Sequence, residues 1–278
     1  MKRLLSFALL AAIVSLSLCA QTFEQSGLTY EVMRSYSGSV AVTRGSRTYS
    51  GSVNIPSRVS YEGRTYSVRV IADRAFKDSY VSSLTLPYCL TEIGAEAFKG
   101  CRSLWRLSVP SGVSRLGAGC FEECTGLSQA DFGYSSSLRE LPARCFKNCN
   151  SLRGVRLPQY ITAIGDACFQ DCRSLVEVRV PDRVETIGNN AFRACRSLRG
   201  VTLPATLRRL GGYCFGACYA LRTVTCESRN PYSAYEYSAL RSDGVDICRQ
   251  AILRVPRGSL NNYKQSVGWR DFERMEEY

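Results

Sequence analysis

An α/β solenoid is the fold class this sequence predicts, with a parallel β-ladder along one face and short helical turns closing each coil. Two observations carry it. Residues 187–209 read IGNNAFRACRSLRGVTLPATLRR and residues 164–186 read IGDACFQDCRSLVEVRVPDRVET, two adjacent 23-residue stretches in one register. The openings Ile71, Ile93, Leu116, Leu141, Ile164, Ile187 and Leu210 are spaced by 22, 23, 25, 23, 23 and 23 residues. Self-similarity at such a period marks a repeated coil, which cannot bury its apolar side alone and must be covered by its neighbours. The second observation is the element Leu-x-x-Val-x-Leu/Val-Pro, which recurs at residues 152–158, 175–181 and 198–204. Its apolar positions two apart, such as Val178 and Val180, point to one side of a short strand.

Taken in order, the chain opens with a basic pair, Lys2 and Arg3, and an uncharged apolar run over residues 4–18. That run is shorter than the ~20 residues a membrane helix needs. Residues 1–20 read as a secretory signal peptide cleaved after Ala20. The alternative makes Cys19 the lipidated first residue of a lipoprotein, periplasm-facing or in the outer membrane, although Leu18 is bulky for that signal. Export to the extracellular space or the cell surface follows, with membrane attachment only if Cys19 is lipidated. Without the leader the chain keeps 34 basic and 24 acidic residues, and arginine makes up 31 of the 36 basic residues in the full sequence. Codon usage is the simpler source of that bias; recognition of planar anions by guanidinium forks is the functional one.

Residues 21–52 form a β-rich N-terminal cap, in which residues 28–32 and 39–43 alternate apolar and polar side chains. Val53-Asn-Ile-Pro56 matches the end of a repeat strand, and residues 61–70 read as a hairpin feeding Ile71. Repeats occupy residues 53–226, with seven full units from Ile71 of about 23 residues each. In five of the seven, proline ends the strand because it cannot donate to a ladder. The segment Ile-Gly-x-x-Ala/Cys-Phe-x-x-Cys then supplies a turn and one or two helical turns. Each coil offers about six inward side chains, worth ~1.5–3 kcal/mol apiece when neighbours cover them. The third unit departs from the pattern: Ala130-Asp-Phe-Gly133 lacks the proline, and two extra residues within 134–137 predict a surface bulge. Residues 227–278 hold an irregular insertion with Tyr232, Tyr235 and Tyr237, a capping strand Leu253-x-Val255-Pro256, a short helix, and Trp269-Arg-Asp-Phe272 to close the open end.

The unit I-G-x-x-A-F-x-x-C-x-S-L-x-x-V-x-L-P at residues 187–204 has leucine-rich-repeat spacing and resembles the BspA-type leucine-rich repeats of bacterial secreted and cell-surface proteins. The resemblance covers residues 53–226 and extends to Val255-Pro-Arg-Gly-Ser259, Tyr263 and Trp269 in the tail. It implies a leucine-rich-repeat solenoid serving as a binding scaffold for adhesion to host proteins or other cells. It brings no catalytic residues.

Thirteen cysteines follow Ala20, including the C-F-x-x-C pairs Cys120/Cys124, Cys145/Cys149, Cys168/Cys172 and Cys214/Cys218. The chain has no histidine, and the pair spacing does not suit a zinc knuckle. Alanine replaces the first cysteine at Ala75, Ala97 and Ala191, which marks a small buried position, so free core thiols acting as small hydrophobes are expected. The missing histidine also excludes a Ser-His-Asp triad. Asp131 and Glu177, two coils apart at roughly 10 Å, read as solvated strand residues rather than a glycosidase pair. No cofactor, metal or enzymatic activity is expected, and export argues against a nucleic-acid partner.

That leaves the outward side chains of the ladder. The candidates for partner binding are Trp105, Arg106, Asp131, Arg153, Arg156, Glu177, Arg179, Arg199 and Arg222, on the face that repeat proteins use by default. Like charges at Arg156 and Arg179 oppose each other; an anionic partner would relieve them, and Glu177 would partly balance them. The expected partner is a protein of the host or bacterial surface, bound near Trp105 and the arginine cluster, with an acidic polysaccharide as the alternative.

Overall fold

The computed structural model describes residues 21–133, 137–232, 239–242 and 244–278. The leader with Cys19, all but Ser137 of the bulge expected within residues 134–137, and Tyr235 and Tyr237 lie outside them.

Strands β1 (Thr22–Gln25), β2 (Leu28–Val32) and β3 (Ser39–Thr43) form an antiparallel meander. Ser26 and Gly27 turn β1 into β2 at φ 51° and 76°, the left-handed pair that matches strand twist in a two-residue hairpin. Beyond β4 (Ser50–Asn54), β5 (Arg58–Tyr61) and β6 (Arg64–Ile71) make a second hairpin through Glu62 and Gly63. Pairing of β3 with β6 in parallel joins the meander to the coils, and β4 pairs in parallel with β7 (Tyr80–Thr85).

Each following coil gives one strand to each of two ladders. The first ladder runs through β9 (Arg106–Ser108), β11 (Gln129–Asp131), β13 (Gly154–Arg156), β15 (Glu177–Arg179), β17 (Gly200–Leu203) and β19 (Thr223–Cys226). All pairings within it are parallel and in register, as in Glu177↔Gly200↔Thr223. Backbone pairing is interrupted between β13 and β15, which belong to separate sheets. The second ladder consists of two-residue strands at the coil openings: β8 (Glu92–Ile93), β10 (Arg115–Leu116), β12 (Glu140–Leu141), β14 (Ala163–Ile164), β16 (Thr186–Ile187) and β18 (Arg209–Leu210). It breaks between β10 and β12, where the unit is two residues longer than its neighbours. The Ile-Gly pairs, expected to be simple turns, are therefore ladder strands followed by a close crossing of coils. A Cβ on Gly165 would lie 2.5 Å from the Ala143 nitrogen.

The helical turns take the form of linked tight turns, with alternate amides bonding along and across the coils. Cys145, Lys147 and Cys149 donate to carbonyls three residues back, at 3.3, 3.2 and 3.1 Å. Arg144, Phe146 and Asn148 donate instead to Asp166, Cys168 and Gln170 of the next coil, at 2.9, 2.8 and 2.8 Å. Left-handed residues four apart (Arg144 φ 59°, Asn148 φ 62°) redirect the amides and prevent a continuous helix. Every backbone group so paired satisfies the accounting that burial demands.

The core is a column of phenylalanines. Phe76, Phe98, Phe121, Phe146, Phe169, Phe192 and Phe215 are fully buried, and successive rings stack at 4.9–5.7 Å. Phe132, in the proline-free third unit, meets Phe146 edge-on at 6.0 Å. At the C-terminal end β20 (Arg241–Ser242) and β21 (Val245–Asp246) make a small hairpin, and α1 (Ile247–Gln250) leads to β22 (Ile252–Val255) beside β19. Helix α2 (Leu260–Gln265) and a 3-10 turn carry Tyr263 and Trp269 into the core, and β23 (Arg274–Glu277) pairs in parallel with β22. Tyr232, the one tyrosine of the insertion's trio that is described, packs edge-on against Trp269 at 5.2 Å and accepts its indole hydrogen bond at 3.2 Å.

Candidate functional site

Alternation along the ladder strands turns one apolar row inward and leaves two rows facing out. Leu107, Ala130, Val178, Val201, Val224 and Leu253 are buried. One outer row, on either side of the interruption at β13/β15, holds Arg106, Gln129 and Gly154, then Glu177, Gly200 and Thr223. The other holds Ser108, Asp131 and Arg156, then Arg179, Thr202 and Thr225. A flanking row just before the strands carries Trp105, Arg153, Arg199 and Arg222, all exposed, with Trp105 at 55%. Backbone bonds tie that row together, since Ser128 donates to the Trp105 carbonyl and Arg222 to that of Arg199, both at 2.9 Å.

The nine candidates fall into two groups. Trp105, Arg106, Asp131, Arg153 and Arg156 belong to the three-stranded part of the ladder, and Glu177, Arg179, Arg199 and Arg222 belong to the five-stranded part. The second group shares a hollow of about 600 Å³ whose floor includes Gly200, Thr202, Thr223 and Thr225. Gly200 leaves room there because no side chain rises from its position. A second hollow, of about 550 Å³, lies between the strands on either side of the ladder's interruption and is lined by Arg156, Gln159, Tyr160, Arg179, Asp182 and Arg183. Arg179 is common to both, and the Arg183 guanidinium sits 4.9 Å from the Tyr160 ring centre, within cation–π range.

Charge balance differs from the expectation that Glu177 would compensate Arg156 and Arg179. Arg156 lies 3.7 Å from Asp131, and Arg179 reaches Glu227 at 2.8 Å and Asp182 at 3.4 Å. Glu227 follows β19, two coils beyond Arg179, so the long arginine side chain spans Thr202 and Thr225 to meet it. Glu177 is left without an ion pair among the described residues. Asp131 also accepts the Gly133 amide at 2.8 Å, so its carboxylate is committed to a local turn and to Arg156.

Sequence reading missed Glu227, Tyr160 and Arg183, which stand in loops outside the repeated strand motif. The available signal was the glycine at residue 200, in a row where the preceding coil has Glu177. The thirteen described cysteines are unbridged, and twelve are buried. Burial pushes the Cys101, Cys218 and Cys248 thiols up to about 12, so they stay protonated at neutral pH and have little nucleophilic character. Cys101, Cys124, Cys149, Cys172, Cys195 and Cys218 each donate to the carbonyl of the phenylalanine one coil back, at 3.1–3.2 Å. They pack as small core residues.

A family model described as a BspA type leucine rich repeat region matches residues 52–172 and 130–241, in six copies. A leucine rich cell surface protein from Faecalibacterium prausnitzii A2-165 superposes with a TM-score of 0.52 at 18% identity, over 94% of this chain and 96% of its own. The leucine rich repeat protein of T. pallidum superposes with a TM-score of 0.52 at 28% identity, over 73% of this chain and 81% of its own. No curated protein matches the chain. Stacked coils of one period, matched by that family model over residues 52–241 and by the backbones of bacterial repeat proteins, establish that this chain belongs to the BspA-type leucine-rich-repeat family.

Proposed function

We propose that the protein is an exported, non-enzymatic scaffold that binds a protein of the host or bacterial surface through its ladder face. The observation that carries this reading is the mixture of charge signs on that face. Arg199 and Arg222 share a hollow with Glu177, and Arg156 and Arg179 are already neutralised by Asp131, Asp182 and Glu227. A uniformly anionic chain would meet the carboxylates of Asp131, Glu177, Asp182 and Glu227 as well as the guanidiniums. A protein surface can present both signs in register, which gives specificity more than raw affinity. Trp105, large, amphipathic and over half exposed, is the kind of anchor that interfaces concentrate.

The test is capture of surface components by the protein at low and at physiological salt, followed by affinity measurement on Trp105→Ala and on the double variant Arg156→Glu/Arg179→Glu. Binding of a protein that falls at least tenfold with Trp105→Ala and survives the salt increase supports the reading. Capture of acidic polysaccharide alone, abolished by salt or by the double variant, would replace it with the glycan alternative.

A further inference from the structure

Arg199 and Arg222 stand side by side at one rim of the 600 Å³ hollow, one ladder spacing apart, about 4.8 Å. Arg222 is oriented: its Nη1 donates to the Tyr219 and Leu221 carbonyls at 2.9 and 3.1 Å. The Arg199 guanidinium makes no ion pair or side-chain hydrogen bond among the described residues. The third arginine of the hollow, Arg179, is engaged by Glu227 and Asp182. Glu177 lines the same space from the preceding strand, with Thr223 in its row and Thr202 and Thr225 in the row of Arg179.

Two adjacent guanidiniums repel, and a carboxylate placed between them removes the repulsion while accepting N–H bonds from both. A group of opposite charge is then favoured opposite Glu177, one coil from Arg199 and two from Arg222. On an extended peptide, side chains two residues apart emerge on one face at about 7 Å, a span that matches one to two coils. We propose that the hollow is a carboxylate clamp for an extended segment of a protein partner. An Asp or Glu lies between Arg199 and Arg222, and a Lys or Arg two residues away reaches Glu177. The proposal rests on the protein-binding reading of the ladder face and names the chemistry of its ligand. Glu177 is also what disfavours an acidic glycan here, because a chain of like charges cannot avoid it.

The experiment is a titration of the protein with three probes: a blocked Gly-Ser-Asp-Ser-Lys-Ser-Gly peptide, the same peptide with aspartate in place of lysine, and oligogalacturonate. The clamp predicts saturable binding that is tightest for the Asp-Ser-Lys peptide. Arg199→Gln/Arg222→Gln should weaken it roughly tenfold, the loss expected of charge-assisted hydrogen bonds. Glu177→Gln should weaken the Asp-Ser-Lys peptide and strengthen the all-acidic one, with its thermal midpoint unchanged. Absence of saturable peptide binding, tighter binding of either polyanion by the unaltered protein, or indifference to Glu177→Gln would overturn the clamp. A captured protein partner that depends on Trp105 but ignores Arg199→Gln/Arg222→Gln would overturn the clamp alone and leave the broader reading in place.

Discussion

Cys168 and Cys172 lie four residues apart and are both buried, yet they do different work. Cys168 occupies the column where sibling coils carry Ala75, Ala97 and Ala191, so what matters there is small volume. Cys172 belongs to the column whose thiols donate across coils, in its case to the Phe146 carbonyl at 3.2 Å. Phe146 also accepts the Cys149 amide at 3.1 Å, so losing the thiol weakens that carbonyl's bonding without orphaning it. Cys168→Ala is expected to cost less than about 1.5 kcal/mol, as size-tolerant core changes do. Cys172→Ala is expected to cost about 1 kcal/mol more, the net worth of a buried hydrogen bond. Urea unfolding of the two variants measures the difference, and equal losses would remove the cross-coil role of the thiol. The sequence showed which cysteine position tolerates alanine, because sibling repeats vary there. It could not show the thiol-to-carbonyl bond, whose acceptor lies 26 residues away.

At the level of the element, strand and turn make opposite demands on neighbouring small residues. Gly165 sits where one coil crosses the next, and an added Cβ would strike the backbone of Ala143. Ala167, two residues on, is held at φ 53°, where a side chain is itself a strain. Gly165→Ala is predicted to destabilise by about 1–3 kcal/mol through overpacking. Ala167→Gly should fall within about 1 kcal/mol of neutral, because relief of left-handed strain offsets the added freedom of the unfolded chain. Urea midpoints of the pair decide it, and the reverse order would mean that the crossing is looser than its geometry indicates. The first ladder was legible because Val178 and Val180 alternate with charged neighbours. Two-residue strands such as β14 are too short to show alternation, and β23 reads Arg-Met-Glu-Glu, a charged edge that gains its strand conformation from β22. The two hollows and the ion pairs beside them were legible only in part. The arginines fall in rows once the register is known, whereas Glu227 and Tyr160 come from loops whose spacing says nothing about what they face.

Over the whole molecule, the phenylalanine column and the two ladders make each coil the cover of the next, in the manner of a one-dimensional stack. Side chains of the turns and the ladder face remain outside it, and both surfaces carry ion pairs between coils, as at Arg179 and Glu227 on the ladder face. On the turn side, charges such as Glu96 with Arg74 and Lys77 pair between successive coils at 3.0 and 2.8 Å. On the ladder face, Glu177 and Arg199 are left without ionic partners among the described residues. The central claim is that this face, and not the turn side, meets the partner. Its most direct test is the affinity of the captured partner for two charge reversals, Arg199→Glu on the ladder face and Arg144→Glu on the turn side. A loss of tenfold or more for Arg199→Glu, with less than a twofold change for Arg144→Glu, is the predicted result. The opposite ranking would contradict the account.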